Sequence, residues 1–315
     1  MRHIRFVPDD TKIRFMWLRS YSFPASAIAG IASLVMFAIL GLNYGIDFQG
    51  GTLIEIRTLD GPASIADIRA ELGQIDLGDV QVQSFGAEDE VLIRVETQEG
   101  GDLAQQSVVD RVRLVLGEQV EYRRVEVVGP TVSSELAQAG TIGVLVALFA
   151  VLVYIWFRFE WQFALGAIIA TVHDVVMTIG MFALVHLEFN LSSIAAILTI
   201  VGYSLNDTVV VYDRIRENLR RYKKMSLPEL LDVSINQTLS RTTLTSFTTL
   251  LALFALFTFG GEVIRSFTFA MIWGIFIGTY SSIFIAAPIL IYLQLRPSSG
   301  GDEPAGEGKA EAGAA

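Results

Sequence analysis

Within the apolar stretch "VGYSLNDTVVVYDRIREN", residues 201–218, Asn206 and Asp207 stand side by side before the charged end begins. A second acid, Asp174, lies beside His173 in "TVHDVVMT", again with apolar neighbours on both sides. A carboxyl in such surroundings is suited to exchanging a proton. Burial favours the neutral acid, whereas a nearby guanidinium favours the charged form. A guanidinium is available in "QTLSRTTLTSFTTLL", residues 237–251, where Arg241 precedes six hydroxyl residues. If Arg241 approaches and leaves Asp207, protonation and movement become reciprocally coupled. One proton crossing a motive force near 180 mV delivers about 4 kcal/mol, enough to shift a two-state equilibrium several hundredfold. The alternative for Asp207 and Arg241 is a fixed structural pair. Asp174 divides between a proton site and an interhelical hydrogen-bond anchor, and His173 between packing and support of the acid.

These residues need a scaffold at membrane depth, and composition supplies one. Hydrophobic residues make up 52% of the 315 and charged residues only 18%, below the quarter usual in soluble domains. A hydrocarbon core of about 30 Å needs roughly 20 apolar helical residues. Six stretches qualify: 22–42, 137–157, 163–186, 190–211, 243–259 and 267–293. The first is too long for a secretory h-region and no small-residue cleavage site follows, so it reads as an uncleaved anchor. Asp207 falls in the fourth run, about 25 Å from its start at 1.5 Å per residue. Thr199, Tyr203, Asn206 and Val210 share its helical face, a polar stripe predicted to look into the bundle. In the sixth run, Gly274, Gly278 and Ser282 recur every four residues, a stripe for close helix packing.

Direction follows from Lys and Arg near the span ends. Segment 1–21 carries Arg2, Arg5, Lys12, Arg14 and Arg19, and the loop 212–242 carries Arg214, Arg216, Arg220, Arg221, Lys223, Lys224 and Arg241. The opposite loops hold only Arg265, so both termini are predicted to be cytoplasmic. Residues 43–135 then lie outside, with 7 Lys/Arg against 18 Asp/Glu. With both termini inside, spans two to six occupy 136–295. The Gly/Pro/Glu/Ala-rich tail 296–315 has the composition of a disordered end. There is no cysteine and there are three scattered histidines, so neither a disulfide nor a metal site is expected. The acid pair at 213 and 217 and the basic pair at 216 and 220 read as repelling i,i+4 neighbours on a solvated helix end.

The outside segment alternates in "GTLIEIRT" (51–58), turns helical in "SIADIRAELGQI" (64–75) with Ser64 as N-cap, and forms a hairpin from 79–86 and 90–97 around "AED". A helix at 102–117 ending on Gly117 and a strand at 119–129 complete β-α-β-β-α-β, the order of the ferredoxin-like sandwich. Before it, the glycines of "GIDFQGGT" (45–52) suit a tight turn, with Asp47 either structural or in contact with a moving chain or partner. The fold class is therefore a six-span helical membrane protein with an α+β domain between spans one and two. No nucleophile–base pair and no phosphate-binding loop occurs, so an enzyme is not expected.

Taken in order, "GIDFQGGT", "VHDV", "VGYSLNDTVVVYDRIREN", "QTLSRTTLTS" and "FGG" at 259–261 resemble the SecF members of the SecD/SecF family of bacterial export proteins, within the RND superfamily. The resemblance covers roughly 1–295. It implies a SecD partner of the same six-span plan, association with the SecYEG channel and in many bacteria with YajC and YidC, and location in the inner membrane. It further implies that the motive force assists a late stage of preprotein translocation, with a periplasmic domain gripping the emerging chain. The family's intramembrane aspartate and arginine fall on Asp207 and Arg241. Neither nucleic acid nor a cofactor is implied. Two other functions compete: a small-molecule antiporter, which would want a drug-sized cavity, and a passive scaffold in which every buried charge is structural.

Overall fold

The computed structural model describes residue 8 and residues 11–295. Arg2, Arg5 and the tail at 296–315 lie outside the described residues.

Strand alternation becomes β2 (Gly51–Thr58), followed by α3 (Ile65–Leu72), β3 (Val80–Phe85), β4 (Ala87–Val95), α4 (Asp102–Leu116) and β5 (Val120–Val128). Ser64 caps α3 by accepting from the Asp67 amide at 3.4 Å, and α4 stops at Gly117 with φ +55°. The hairpin reverses at Gly86, φ +78°, so the "AED" predicted as loop is already strand. A positive φ at glycine turns the chain without a longer loop. The sheet order is β3-β4-β2-β5, with each neighbouring pair antiparallel. Its core holds Ile54, Ile56 and Ile93 against Leu72 of α3 and Val108 and Val112 of α4. A smaller cluster joins Leu53 and Leu92 to Ile46, from the short helix α2 (Ile46–Gln49).

Six helices are long and apolar enough to cross a membrane among the described residues. The first runs from Phe15 through α1 (Arg19–Leu40). Then come α5 (Pro130–Arg158), α6 (Trp161–Val185), α7 (Leu191–Arg221) and α8 (Leu227–Phe259). The last span, Arg265–Tyr292, is interrupted: α9 (Arg265–Ser281), a π-helical segment (Ser282–Ala286) and α10 (Ala287–Tyr292). Helices α7 and α8 run well past the predicted apolar limits, because the amphipathic stretches beside the loop continue the helix on surface that hydropathy alone does not register. Along that extension the expected like-charge repulsion is relieved by i,i+3 pairs, Arg214–Glu217 at 2.5 Å and Arg216–Asp213 at 3.9 Å.

Burial in the bundle is the reverse of a soluble core. Ile28, Ile39, Phe149 and Phe157 are exposed, whereas Thr171, Asp174, Ser204, Asp207, Ser281 and Ser282 are buried. Apolar groups gain nothing by leaving hydrocarbon, so small and polar side chains take the helix contacts. Two glycines permit the closest one. A Cβ at Gly274 would overlap the side chain of Ile200 on α7, and one at Gly278 would lie 2.9 Å from the Cβ of Ser204. The predicted small-residue stripe thus packs α9 on α7.

The module and the bundle are tied by a parallel pair that the sequence pattern did not reveal. β1 (Asn43–Tyr44) pairs with β6 (Glu188–Phe189), which lies in the turn between α6 and α7.

Candidate functional site

Helices α6, α7, α8 and the last span converge on the two acids. Asp207 is 8% exposed and accepts hydrogen bonds from Thr242 Oγ1 of α8 at 2.6 Å and Ser282 Oγ of the π segment at 3.0 Å. Asp174 is fully buried on α6. Its Oδ2 accepts from Ser204 Oγ of α7 at 2.5 Å and Ser281 Oγ of α9 at 2.7 Å, and its Oδ1 meets His173 Nδ1 at 3.0 Å. Each acid is therefore held by neutral hydroxyls from two separate elements, an arrangement that serves either protonation state. A carboxylate accepts from them, and a carboxylic acid can also donate its own hydrogen to one.

Arg241 does not make the expected pair. No ion pair within 4.0 Å joins it to Asp207 in this conformation; the acid's hydrogen bonds come from Thr242 and Ser282 instead. Arg241 is exposed, and its neighbour Thr242 makes the direct contact. A single helical step of about 100° separates these two side chains.

The polar stripe on α7 divides. Tyr203 is half-buried and its hydroxyl donates to Ser246 Oγ at 3.4 Å, and Ser246 in turn lies 2.9 Å from Thr279 Oγ1. Thr199 and Asn206 are exposed, as is Gly202 between them. The stripe predicted to look into the bundle is thus only half packed within the described residues, and Arg241, Thr245 and Thr248 of α8 are exposed as well. A helical spacing identifies a shared face but not what covers it, and among the described residues Thr199 and Asn206 stay exposed.

Ser204, Thr242, Ser281 and Ser282 were missed as acid partners. The available signal was position: Ser204 precedes Asp207 by one helical turn, and Thr242 adjoins Arg241.

At its other end α7 begins with a reciprocal cap, Asn190 Oδ1 accepting from the Ser193 amide at 3.1 Å and Ser193 Oγ accepting from the Asn190 amide at 3.2 Å. Asp47 adds a second: its Oδ2 accepts from the Leu191 amide at 2.9 Å. A negative side chain at a helix N-terminus also complements the macrodipole. Asp47, left open between turn and contact roles, therefore anchors α7. Arg94 of β4 reinforces the join, binding Glu188 at 3.1 Å and donating to the Tyr44 carbonyl at 3.3 Å.

Burial pushes the Glu188 carboxyl above its usual range, while the Arg94 and Arg124 guanidiniums pull it back and Asp47 and Glu126 add to the rise. The folded state therefore keeps that proton to higher pH than the unfolded chain does. Stability from this group is present below the ordinary carboxylate range and falls as pH rises through the raised one. Glu188→Gln is expected to flatten that slope in thermal melts across mildly acidic pH. A slope left intact would assign it to another group.

Residues 108–296 match the family described as Protein export membrane protein SecD/SecF, C-terminal, and residues 35–58 match the SecD/SecF GG Motif. The protein translocase subunit SecF of Rickettsia rickettsii is 46% identical over 294 residues, covering 91% of this chain and 94% of its own. The subunit SecDF of Brucella abortus is 48% identical over 296 residues, which make up 94% of this chain but only 39% of that longer protein. Among solved structures, SecDF from Thermus thermophilus matches with a TM-score of 0.81 and 35% identity, over 91% of this chain and 39% of that one. SecDF in its super-membrane-facing form matches at 0.68 with 36% identity, over 94% of this chain and 40% of that one. With family models matching residues 35–58 and 108–296 and a relative 46% identical over 91% of this chain, the chain belongs to the SecD/SecF family of protein-export membrane proteins.

Proposed function

We propose that this multi-pass membrane protein is the SecF-type half of a proton-driven export unit. Asp207 exchanges the proton, Arg241 biases its charge, and Asp174 is a second acid on the path, with Thr199, Tyr203, Asn206 and His173 as its polar surroundings. The chain performs transport without covalent chemistry. Proton movement through the bundle drives movement of the α/β module, read as a ferredoxin-like domain from its strand order. Late preprotein translocation is the process assisted.

One observation carries this reading: Asp207 is buried among hydroxyls from two helices while Arg241, one helical step from the contacting Thr242, is exposed. A fixed structural pair would be closed, and this one is open. The open face also points to the partner. An arginine at the centre of a span costs roughly 2.5–3.5 kcal/mol and one near its end, like Arg241, costs less, but either is better placed against a partner than against lipid. A second six-span half, SecD, covers Thr199, Asn206, Arg241, Thr245 and Thr248 in this reading, consistent with relatives in which both halves form one chain. SecYEG, YajC and YidC are further proposed partners. Membership of the family supports a bacterial inner-membrane location, and the Lys/Arg distribution supports cytoplasmic termini with residues 43–135 on the periplasmic side.

The test is proton flux through the reconstituted complex with and without Asp207. Flux that is equal in both would overturn the reading. A cavity of about 610 Å³ between the sheet and the ends of the spans, lined by Leu53, Leu92, Arg124, Glu126, Glu188 and Phe267, favours small-molecule antiport as a second reading. Efflux that depends on an added ligand would support that alternative.

A further inference from the structure

The last span breaks its α-helical pattern between the two acids, and the break has a covalent cause. Pro288 has no amide hydrogen, so the Phe284 carbonyl four residues earlier loses its helical donor. Ser22 Oγ of the first span lies 3.3 Å from that carbonyl and donates to it. The Ala286 carbonyl accepts from the buried Tyr212 hydroxyl of α7 at 2.9 Å. The wide turn at Ser282–Ala286 is thus pinned from two other helices. Single π turns inside α-helices occur frequently at functional sites.

Two consecutive serines sit at the junction. Neighbours on a helix point about 100° apart, so Ser281 reaches α6 while Ser282 reaches α7. Each has one hydroxyl hydrogen and two acceptors. Ser281 Oγ is 2.7 Å from Asp174 Oδ2 and 3.1 Å from the Gly278 carbonyl. Ser282 Oγ is 3.0 Å from Asp207 Oδ2 and 3.0 Å from the Thr279 carbonyl. An ionised carboxylate takes the hydrogen, because bonds to charged acceptors are roughly twice as strong as neutral ones. When the acid is neutral, the hydroxyl turns to its own helix carbonyl, a back-bond that bends helices. Ser204 Oγ, 3.5 Å from Ser281 Oγ, shares Asp174 and closes the group.

We propose that Ser281 and Ser282 are positioning residues that link the two acids, so that gain or loss of charge at Asp207 changes the hydrogen bonding of Asp174 through the α-to-π junction. The inference rests on the proton role of Asp207 and adds a second, coupled carboxyl to it. The other groups facing the pair are His173 and Tyr280, whose rings lie 6.2 Å apart beside Asp174, and Arg241 near Asp207.

The test is infrared spectroscopy of the full chain in its reconstituted complex, with the Asp174 carboxyl band identified by its loss in Asp174→Asn. Asp207→Asn is expected to shift that band in the parent protein. The shift should be lost in Ser282→Ala and again in Ser281→Ala, which cuts the same link at the other acid. It should persist in Thr171→Ala, where a buried hydroxyl bonds only its own helix at 2.9 Å. Should Ser282→Ala fail to fold, Ser281→Ala alone decides. A shift that survives in the serine variants, or that never occurs in the parent, overturns the link. If Asp207→Asn abolishes flux without moving the band, the proton reading stands and the link falls. If flux is normal in Asp207→Asn, the reading itself falls.

Discussion

Asp207→Asn is expected to reduce the motive-force-dependent part of export by about tenfold or more while the protein and its complex remain at normal abundance. Asparagine has the shape of the acid, and its carbonyl can still accept from Thr242. The Ser282 hydroxyl can rotate to accept from the new amide, so the contacts at 2.6 and 3.0 Å have replacements. What disappears is the ability to change charge, and with it access to the roughly 4 kcal/mol that a proton carries across 180 mV. Thr242→Ala should do far less, since one neutral hydrogen bond contributes only about 0.5–1.5 kcal/mol. Export into membrane vesicles with and without a motive force, measured beside immunodetected protein, separates the outcomes. Normal motive-force-dependent export would remove the proton role, and a defect that merely tracks lost protein would support a scaffold.

A second large effect is expected at the glycine pair that opens β2. Gly51 has φ +116°, and a Cβ there would stand 2.5 Å from the Val95 carbonyl oxygen, a main-chain atom of the neighbouring strand. The strained backbone alone costs an L residue on the order of 1–3 kcal/mol, and the sheet must part to admit the methyl group. Gly51→Ala is therefore expected to destabilise the module by at least about 3 kcal/mol, at the upper end of single substitutions. Gly50 has φ +72° and ψ −178°, a conformation that also favours glycine, but its Cβ would meet the Val128 carbonyl oxygen only at 3.3 Å, and its two closer neighbours are the side-chain oxygens of Thr97 and Ser133 at 2.8 and 3.1 Å. Those atoms can swing aside, so Gly50→Ala should cost less. Gly143→Ala, with open space around it, serves as the control. Limited proteolysis of the module in the purified full chain reads all three, and a Gly51→Ala protein as resistant as the parent would refute the argument.

The six spans were legible because a membrane helix declares itself locally, in about 20 apolar residues. The strand and helix order of the module was legible for the same reason, since alternation and 3.6-residue spacing are short-range patterns. Asp207 and Asp174 stood out because a charge in an apolar run is costly. Their partners did not. Ser282 is an ordinary member of a packing stripe and Ser281 an ordinary neighbour until the π turn aims them, and that turn depends on Pro288, several residues further on. The β1–β6 pair is only two residues long on each side and joins segments more than 140 positions apart, so no periodicity announces it. The exposure of Thr199 and Asn206 was not legible for a different reason: a helical pattern defines a face but does not say what packs on it.

Helix α7 contains no proline and runs unbroken from Leu191 to Arg221. Its head is hooked to the module by Asp47 and by the strand pair at Glu188–Phe189, and Asp207 rides on it about 24 Å further along at 1.5 Å per residue. It can behave as a drive shaft: a twist that carries the carboxyl toward a new neighbour must reappear at the hook. In the proposed reading, the chain would then need no separate relay between the acid among the spans and the module beyond them.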